Sequence, residues 1–206
     1  GWSSVNLYFM LGLPTETDED VLGIADLAQK VYHVWRENTP NRSRGVRITV
    51  STSCFVPKSH TPFQWEAQNT QEEYLRKVTL LRKHMRNKSI TYNWHDPETS
   101  YLEAVLSRGD RRIADVIEEA WRHGAKFDSW SEYFNLQTWL TAMETCGVSP
   151  AFYANRVREK DEILPWHIIS DGLKESYLWR EREADYAGKI TQDCKVKFSG
   201  CGAYKL

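Results

Sequence analysis

The stretch "VNLYFMLGLPTETDEDV" (Val5–Val21) decides the fold class. Val5 to Gly12 lacks strict alternation of apolar and polar residues. It reads as a strand buried on both faces, the kind found in parallel sheets. Pro14 stops it, because proline has no N–H to give to a ladder. Thr15 to Asp18 and Thr17 to Asp20 both fit a capping box, and acids fill the turn that follows. Val21, Ile24, Ala28, Val31 and Trp35 recur at helical spacing, which predicts a helix to about Trp35.

Downstream the same alternation continues. "NTPNRSRG" (Asn38–Gly45) is turn material. "VRITVSTSCF" (Val46–Phe55) interleaves Val46, Ile48 and Val50 with polar residues and predicts a second strand. "VPKSHTPFQW" is an irregular segment held by Pro57 and Pro62. Thr70 to Glu73 forms a capping box, and Tyr74, Val78, Leu81 and Met85 predict a helix ending near Asn87. "SITYNW" (Ser89–Trp94) is a third strand. Strand, helix, strand, helix, strand is the pattern of a parallel sheet with right-handed crossovers.

After His95 the strand signal disappears. Ser100 caps a short helix with Leu102, Val105 and Leu106, which Gly109 ends. Asp110 starts a second, with Ile113, Val116, Ile117, Ala120 and Trp121, ended by Gly124. A third carries Phe134, Trp139, Leu140 and Met143 and ends at Gly147. "GVSPAFYANR" and "EILPWHIIS" read as connections, and Lys174 to Ala187 as a last, charged helix. The expected organisation is an α/β part over 1–95, a helical extension over 96–190 and a cysteine-bearing tail over 191–206.

Composition narrows the function classes. Of 206 residues 41% are apolar, enough for a core. Basic residues number 27 and acidic residues 28, so no global field draws the chain to nucleic acid or to an anionic membrane. No apolar run reaches the ~18 residues of a membrane span. The four cysteines, Cys54, Cys146, Cys194 and Cys201, imply no disulfide framework and point to a reducing, cytoplasmic setting.

In parallel α/β folds ligands bind beyond the C-terminal ends of the strands. Three segments fall there: Gly12–Glu16, Cys54–Phe63 and Trp94–Glu98. Gly12 either lets a ligand approach the backbone or makes a plain strand-to-helix turn. The loop after Cys54 is either a cavity wall or a cover packed by Phe63 and Trp65. Cys54 itself reads as a small buried apolar residue. His95, Asp96 and Glu98 form either an acid/base group or a proline-directed helix start capped by Asp96. Arg82 to Lys88 reads as the solvated end of a helix. Cys194 and Cys201, flanked by Gly200 and Gly202, make either half of a thiolate metal site or two free thiols. No serine-hydrolase order, phosphate-binding glycine loop or dinucleotide fingerprint occurs.

Several segments together resemble one family. "LYFMLGLPTETDEDV" is similar to the fifth barrel strand and Gly-Leu-Pro turn of radical S-adenosylmethionine enzymes. "STSCFVPKSHTPFQW" resembles the next strand and loop in one branch of that family. "WHDPETSYLEAVLSRGDRRIADVIEEAW", "FDSWSEYF" and "SPAFYANR" resemble that branch's C-terminal region. Its members often carry a cobalamin-binding-type domain, so cobalamin is a further possible cofactor of the whole protein. The branch's substrates are mostly unassigned.

The resemblance implies the C-terminal half of a partial (β/α) barrel followed by a small helical extension. It implies S-adenosylmethionine and a [4Fe-4S] cluster as cofactors, reductive cleavage to a 5′-deoxyadenosyl radical, and a donor such as a flavodoxin or ferredoxin. The family's Cys-x3-Cys-x2-Cys loop is not in this sequence. The chain is therefore expected to be a fragment, inactive alone, whose partner is the N-terminal half of the same protein. Met10, Gly12, Glu16, Phe55 and Val56 match positions on the cofactor side. Asp193, Cys194, Cys201 and Gly202 match a cysteine-rich tail, with Lys195 in place of an arginine and Phe198 in place of its middle cysteine. Two other outcomes follow from other classes: a non-catalytic interaction module, or an RNA-modifying methylthiotransferase-like enzyme. The latter needs a basic β-barrel that the sequence does not supply. Neither nucleic acid nor membrane is an expected partner.

Overall fold

A computed structural model describes residues 2–40, 43 and 45–203. Asn41, Arg42 and Arg44 of the expected turn lie outside the described residues, as do Gly1 and residues 204–206. The fold is mixed α/β. Its sheet has three parallel strands in the order β1 (Ser4–Leu11), β2 (Arg47–Cys54) and β3 (Ile90–Trp94). Seven helices occur among the described residues.

The first unit comprises residues 1–55 and 69–100. Helix α1 (Asp18–Asn38) starts at Thr17, whose hydroxyl accepts the Asp20 N–H while the Asp20 carboxylate accepts the Thr17 N–H. The second of the two candidate boxes is thus the one that forms. Helix α2 (Gln71–His84) starts at Thr70, whose hydroxyl accepts the Glu73 N–H. Val21, Ile24, Ala25 and Ala28 of α1 and Tyr74, Val78 and Leu81 of α2 share one core with Leu11, Ile48, Val50 and Ile90 of the strands. Each fully buried large aliphatic side chain there contributes roughly 1.5–3 kcal/mol.

Register explains why that core is one-sided. Leu7 pairs with Val50, which pairs with Tyr92, and Phe9 pairs with Thr52, which pairs with Trp94, so these rows share the face that carries both helices. The opposite face bears Asn6, Thr49 and Thr91 in one row, and Tyr8, Ser51 and Asn93 in the next. β1 is consequently not buried on both faces. Tyr8 is 75% exposed and Met10 44%, because both helices pack on the other side. The apolar composition of β1 hides a burial pattern with period two.

The second unit comprises residues 56–68 and 101–206. The loop from Val56 to Gln68 belongs with the helices, and the division falls inside α3 (Pro97–Arg108), after Ser100. That helix starts at Pro97 rather than at Ser100. Asp96 supplies the cap by accepting the Glu98 N–H at 3.2 Å and the Thr99 hydroxyl at 2.9 Å. Leu102 and Val105 of α3 pack with Ile113, Val116 and Ala120 of α4 (Ile113–Arg122). Trp139, Ala142 and Met143 of α5 (Leu136–Thr145) join the same core. "SPAFYANR", expected as a connection, holds the short helix α6 (Pro150–Ala154), with proline at its first turn. α7 (Glu175–Tyr186) seats Leu178 beside Trp65, Leu164 and Trp166 in a smaller cluster.

Candidate functional site

The turn that leaves β1 is a closed polar knot. Gly12 has φ +93°, and its N–H donates to both Glu16 carboxylate oxygens, at 3.1 and 3.0 Å. Lys77 of α2 donates to Glu16 Oε1 at 2.7 Å and to Asn69 Oδ1 at 3.1 Å. The Lys77 and Glu16 side chains are 6% and 8% exposed. A Cβ on Gly12 would stand 2.8 Å from Asn69 Oδ1. Glycine is required here twice, by backbone angle and by space.

Sequence reasoning misses Lys77 and Asn69. The available signal is Lys77 at a core position of the stripe Tyr74, Lys77, Val78 and Leu81. A lysine on such a stripe needs a buried partner.

The remaining residues that the resemblance assigns to a cofactor differ in accessibility. Met10 projects on the open face of the sheet, beside its register partner Ser53. Phe55 is buried, and its N–H donates to the Leu11 carbonyl at 2.8 Å. Val56 is buried in the core of the second unit. On the helix side of the sheet, Tyr92 and Thr52 share a hydroxyl hydrogen bond of 2.8 Å, and Tyr74 donates to the Thr52 carbonyl at 3.4 Å. Burial pushes the Tyr92 phenol up to about 12 and raises Tyr74 as well.

The proline-rich loop is the spine of the second unit. Lys58 pairs with Glu103, and His60 Nδ1 lies 3.5 Å from Asp171 Oδ2. Gln64 Oε1 accepts the His60 N–H at 3.0 Å and the Trp166 indole N–H at 2.7 Å. Trp65, fully buried, meets Trp179 edge to face with ring centroids 5.0 Å apart. Glu66 accepts from Arg182 and from the Tyr186 hydroxyl. All of these contacts lie within the second unit.

His95, Asp96 and Glu98 make no acid/base group. Asp96 is occupied as a cap, all three are exposed, and the His95 N–H donates to the Thr52 carbonyl. Cys194 is exposed and Cys201 half-buried, with the Cys201 carbonyl accepting the Lys174 N–H. Among the described residues no three His, Cys, Asp or Glu side chains stand together to hold a metal ion. The described residues thus bring no complete donor set for an iron–sulfur cluster together. No helix is long and apolar enough to cross a membrane among the described residues.

No family model matches the chain, and no solved structure matches it. The chain is similar to an uncharacterized protein of Methanocaldococcus jannaschii, 27% identical over 118 residues. The match covers 57% of this chain and 24% of that protein, so the chain spans about a quarter of the relative's length.

Proposed function

We infer that this chain forms the later part of a radical S-adenosylmethionine barrel, supplying one wall of the cofactor and substrate chamber. One observation carries the reading: the strands run in simple order with both helices on one face. A doubly wound sheet places helices on both faces, whereas a (β/α) barrel places them all outside. The free face is polar, with Asn6, Thr49, Ser51 and Asn93 in adjacent rows and Met10 toward the strand ends. Such a face suits the lining of a ligand chamber better than a packed core.

In this reading Met10 lies against the cofactor, and Gly12 with Glu16 holds the turn beside it. Phe55 and Val56 contribute backbone to the neighbouring wall. When bound, S-adenosylmethionine supplies a radical after one-electron reduction; this chain's residues orient it and exclude water. Cluster ligands belong to the N-terminal half of the same protein. The electron donor is of the flavodoxin or ferredoxin class, the compartment is the cytoplasm, and the substrate is unassigned.

The test uses the longer reading frame, expressed without oxygen and reconstituted with iron and sulfide. It is expected to form 5′-deoxyadenosine from S-adenosylmethionine on reduction, while the chain alone forms none. No product from the longer protein overturns the reading. A four-iron cluster that cleaves S-adenosylmethionine on the isolated chain removes its fragment character.

A further inference from the structure

Four aromatic side chains of the second unit stand in water. Trp121 is 59% exposed, Phe127 71%, Trp130 61% and Tyr133 60%. Trp121 lies on the exposed side of α4, one turn after Ile117, itself 48% exposed. The other three lie on two successive turns. The Trp130 N–H donates to the Phe127 carbonyl at 2.9 Å, and the Tyr133 N–H to the Trp130 carbonyl at 2.9 Å. Side chains three apart in such turns fall on one side. The Phe127 and Tyr133 ring centroids accordingly stand 6.0 Å apart. Lys126 joins the two groups, with Nζ 6.0 Å from the Trp121 ring centre and Phe127 as its next residue.

The backbone holds this arrangement against its own preference. Phe127 has φ +59°, a region that bulky side chains rarely adopt. Strained backbone of this kind clusters at active sites and ligand clamps, where the surrounding structure fixes it. Here it turns a ring out into solvent rather than into the core.

Size and charge select the occupant. An aromatic side chain offers about 150–250 Å². At these exposures the four leave on the order of 500 Å² uncovered, as much as the largest patch of an ordinary monomer. Two such faces together bury about 1,000 Å², the lower bound for a specific interface. Both signs of charge are present, since Lys126 precedes Phe127 and Glu132 precedes Tyr133. Both are exposed, and neither makes an ion pair among the described residues. The neighbouring Glu118 and Arg122 pair with each other. A face so balanced attracts no strongly charged partner, but it complements itself. A twofold axis through the Phe127–Tyr133 pair sets Lys126 of each copy against Glu132 of the other.

We propose that this aromatic surface is the interface of a symmetric homodimer, with a second copy of the chain as its occupant. Exposed Trp and Tyr supply the anchors of such interfaces, and charges at the rim fix the register. The surface belongs to the second unit and is separate from the cofactor wall proposed above.

Sedimentation velocity of the whole chain over about 1–300 µM tests it. The sedimentation coefficient is expected to rise from monomer to dimer within that range. Trp130→Ser and Phe127→Ser, both at exposed positions, are each expected to weaken the dimer about tenfold or more. Trp2→Ser, 89% exposed in the first unit, leaves it unchanged. Lys126→Glu and Glu132→Lys each weaken it, and the double variant restores it, because the swap re-forms both ion pairs with signs reversed. Circular dichroism checks that each variant keeps the helix content of the parent. A chain that is monomeric at every concentration overturns the proposal without any variant. So does a dimer that survives both Trp130→Ser and Phe127→Ser. A monomer that binds phosphatidylcholine vesicles through this surface assigns it to a lipid interface and overturns the dimer. A double charge variant no stronger than the single ones overturns the twofold arrangement.

Discussion

Lys77 Nζ lies 2.7 Å from Glu16 Oε1, with both side chains more than nine-tenths buried, and ties helix α2 to the turn that leaves β1. Removing one partner leaves the other charge buried without compensation. Lys77→Met is expected to destabilise the chain by about 3–5 kcal/mol. Adding Glu16→Gln to it is expected to recover part of the loss. Urea unfolding of the single and double variants measures both. A double variant no more stable than Lys77→Met contradicts the pairing.

Gly12 stands at the centre of the same knot. Gly12→Ala forces a side chain to φ +93° and toward Asn69 Oδ1, which Lys77 already holds. The expected cost is about 2 kcal/mol, from backbone strain and displacement of Asn69 together. Thermal unfolding measures it, and a change within about 0.5 kcal/mol, the range of an ordinary surface substitution, contradicts the account.

Glu66 joins the proline-rich loop to α7. Its carboxylate accepts from Arg182 and Tyr186, and the Arg182 guanidinium lies 4.7 Å from the Trp179 ring centre. Arg182→Met is expected to cost about 3 kcal/mol, because it strands a buried carboxylate. Hydrogen exchange should rise first in α7. Equal protection in variant and parent argues against this anchor.

Tyr74 and Tyr92 titrate above the ordinary phenol range because burial disfavours their ionised forms. In the unfolded chain both ionise near about 10. Below that pH both states are protonated, and the stabilisation from the neutral phenols is fully present. As pH rises from about 10 toward 12 the unfolded state sheds protons that the folded state keeps, and stability falls. Tyrosinate absorbance should show a late fraction that disappears in urea. Its absence from the folded chain contradicts the buried hydroxyl cluster.

Met10 separates stability from function. It is 44% exposed on the open face of the sheet, so Met10→Ala is expected to change stability by less than about 1 kcal/mol. On the function proposed above, the same substitution in a protein that holds both barrel halves is expected to weaken S-adenosylmethionine binding, read as a raised KM. A large loss of stability with unchanged KM reverses the assignment.

Element types are legible wherever a local signal is strong. Thr17 with Asp20, and Thr70 ahead of Glu73, announce α1 and α2. Gly124 and Gly147 follow α4 and α5 with positive φ. For α3 the sequence offers two starts, one capped by Asp96 before Pro97 and one at Ser100, and the first along the chain is the one that forms. The candidate site is half legible. Gly12 and Glu16 stand out, whereas Lys77 is 61 residues from Glu16 and no local pattern links them.

By itself the sequence determined three strands, the helices between them and their order, because caps, prolines and hydrophobic period act within a few residues. Only the tertiary structure decided that one face of β1 stays open, that the loop after β2 belongs to the second unit, and that Glu66 of that loop is held by Arg182 and Tyr186. Each of these depends on which distant side chains come within a few ångströms, and burial converts that distance into energy.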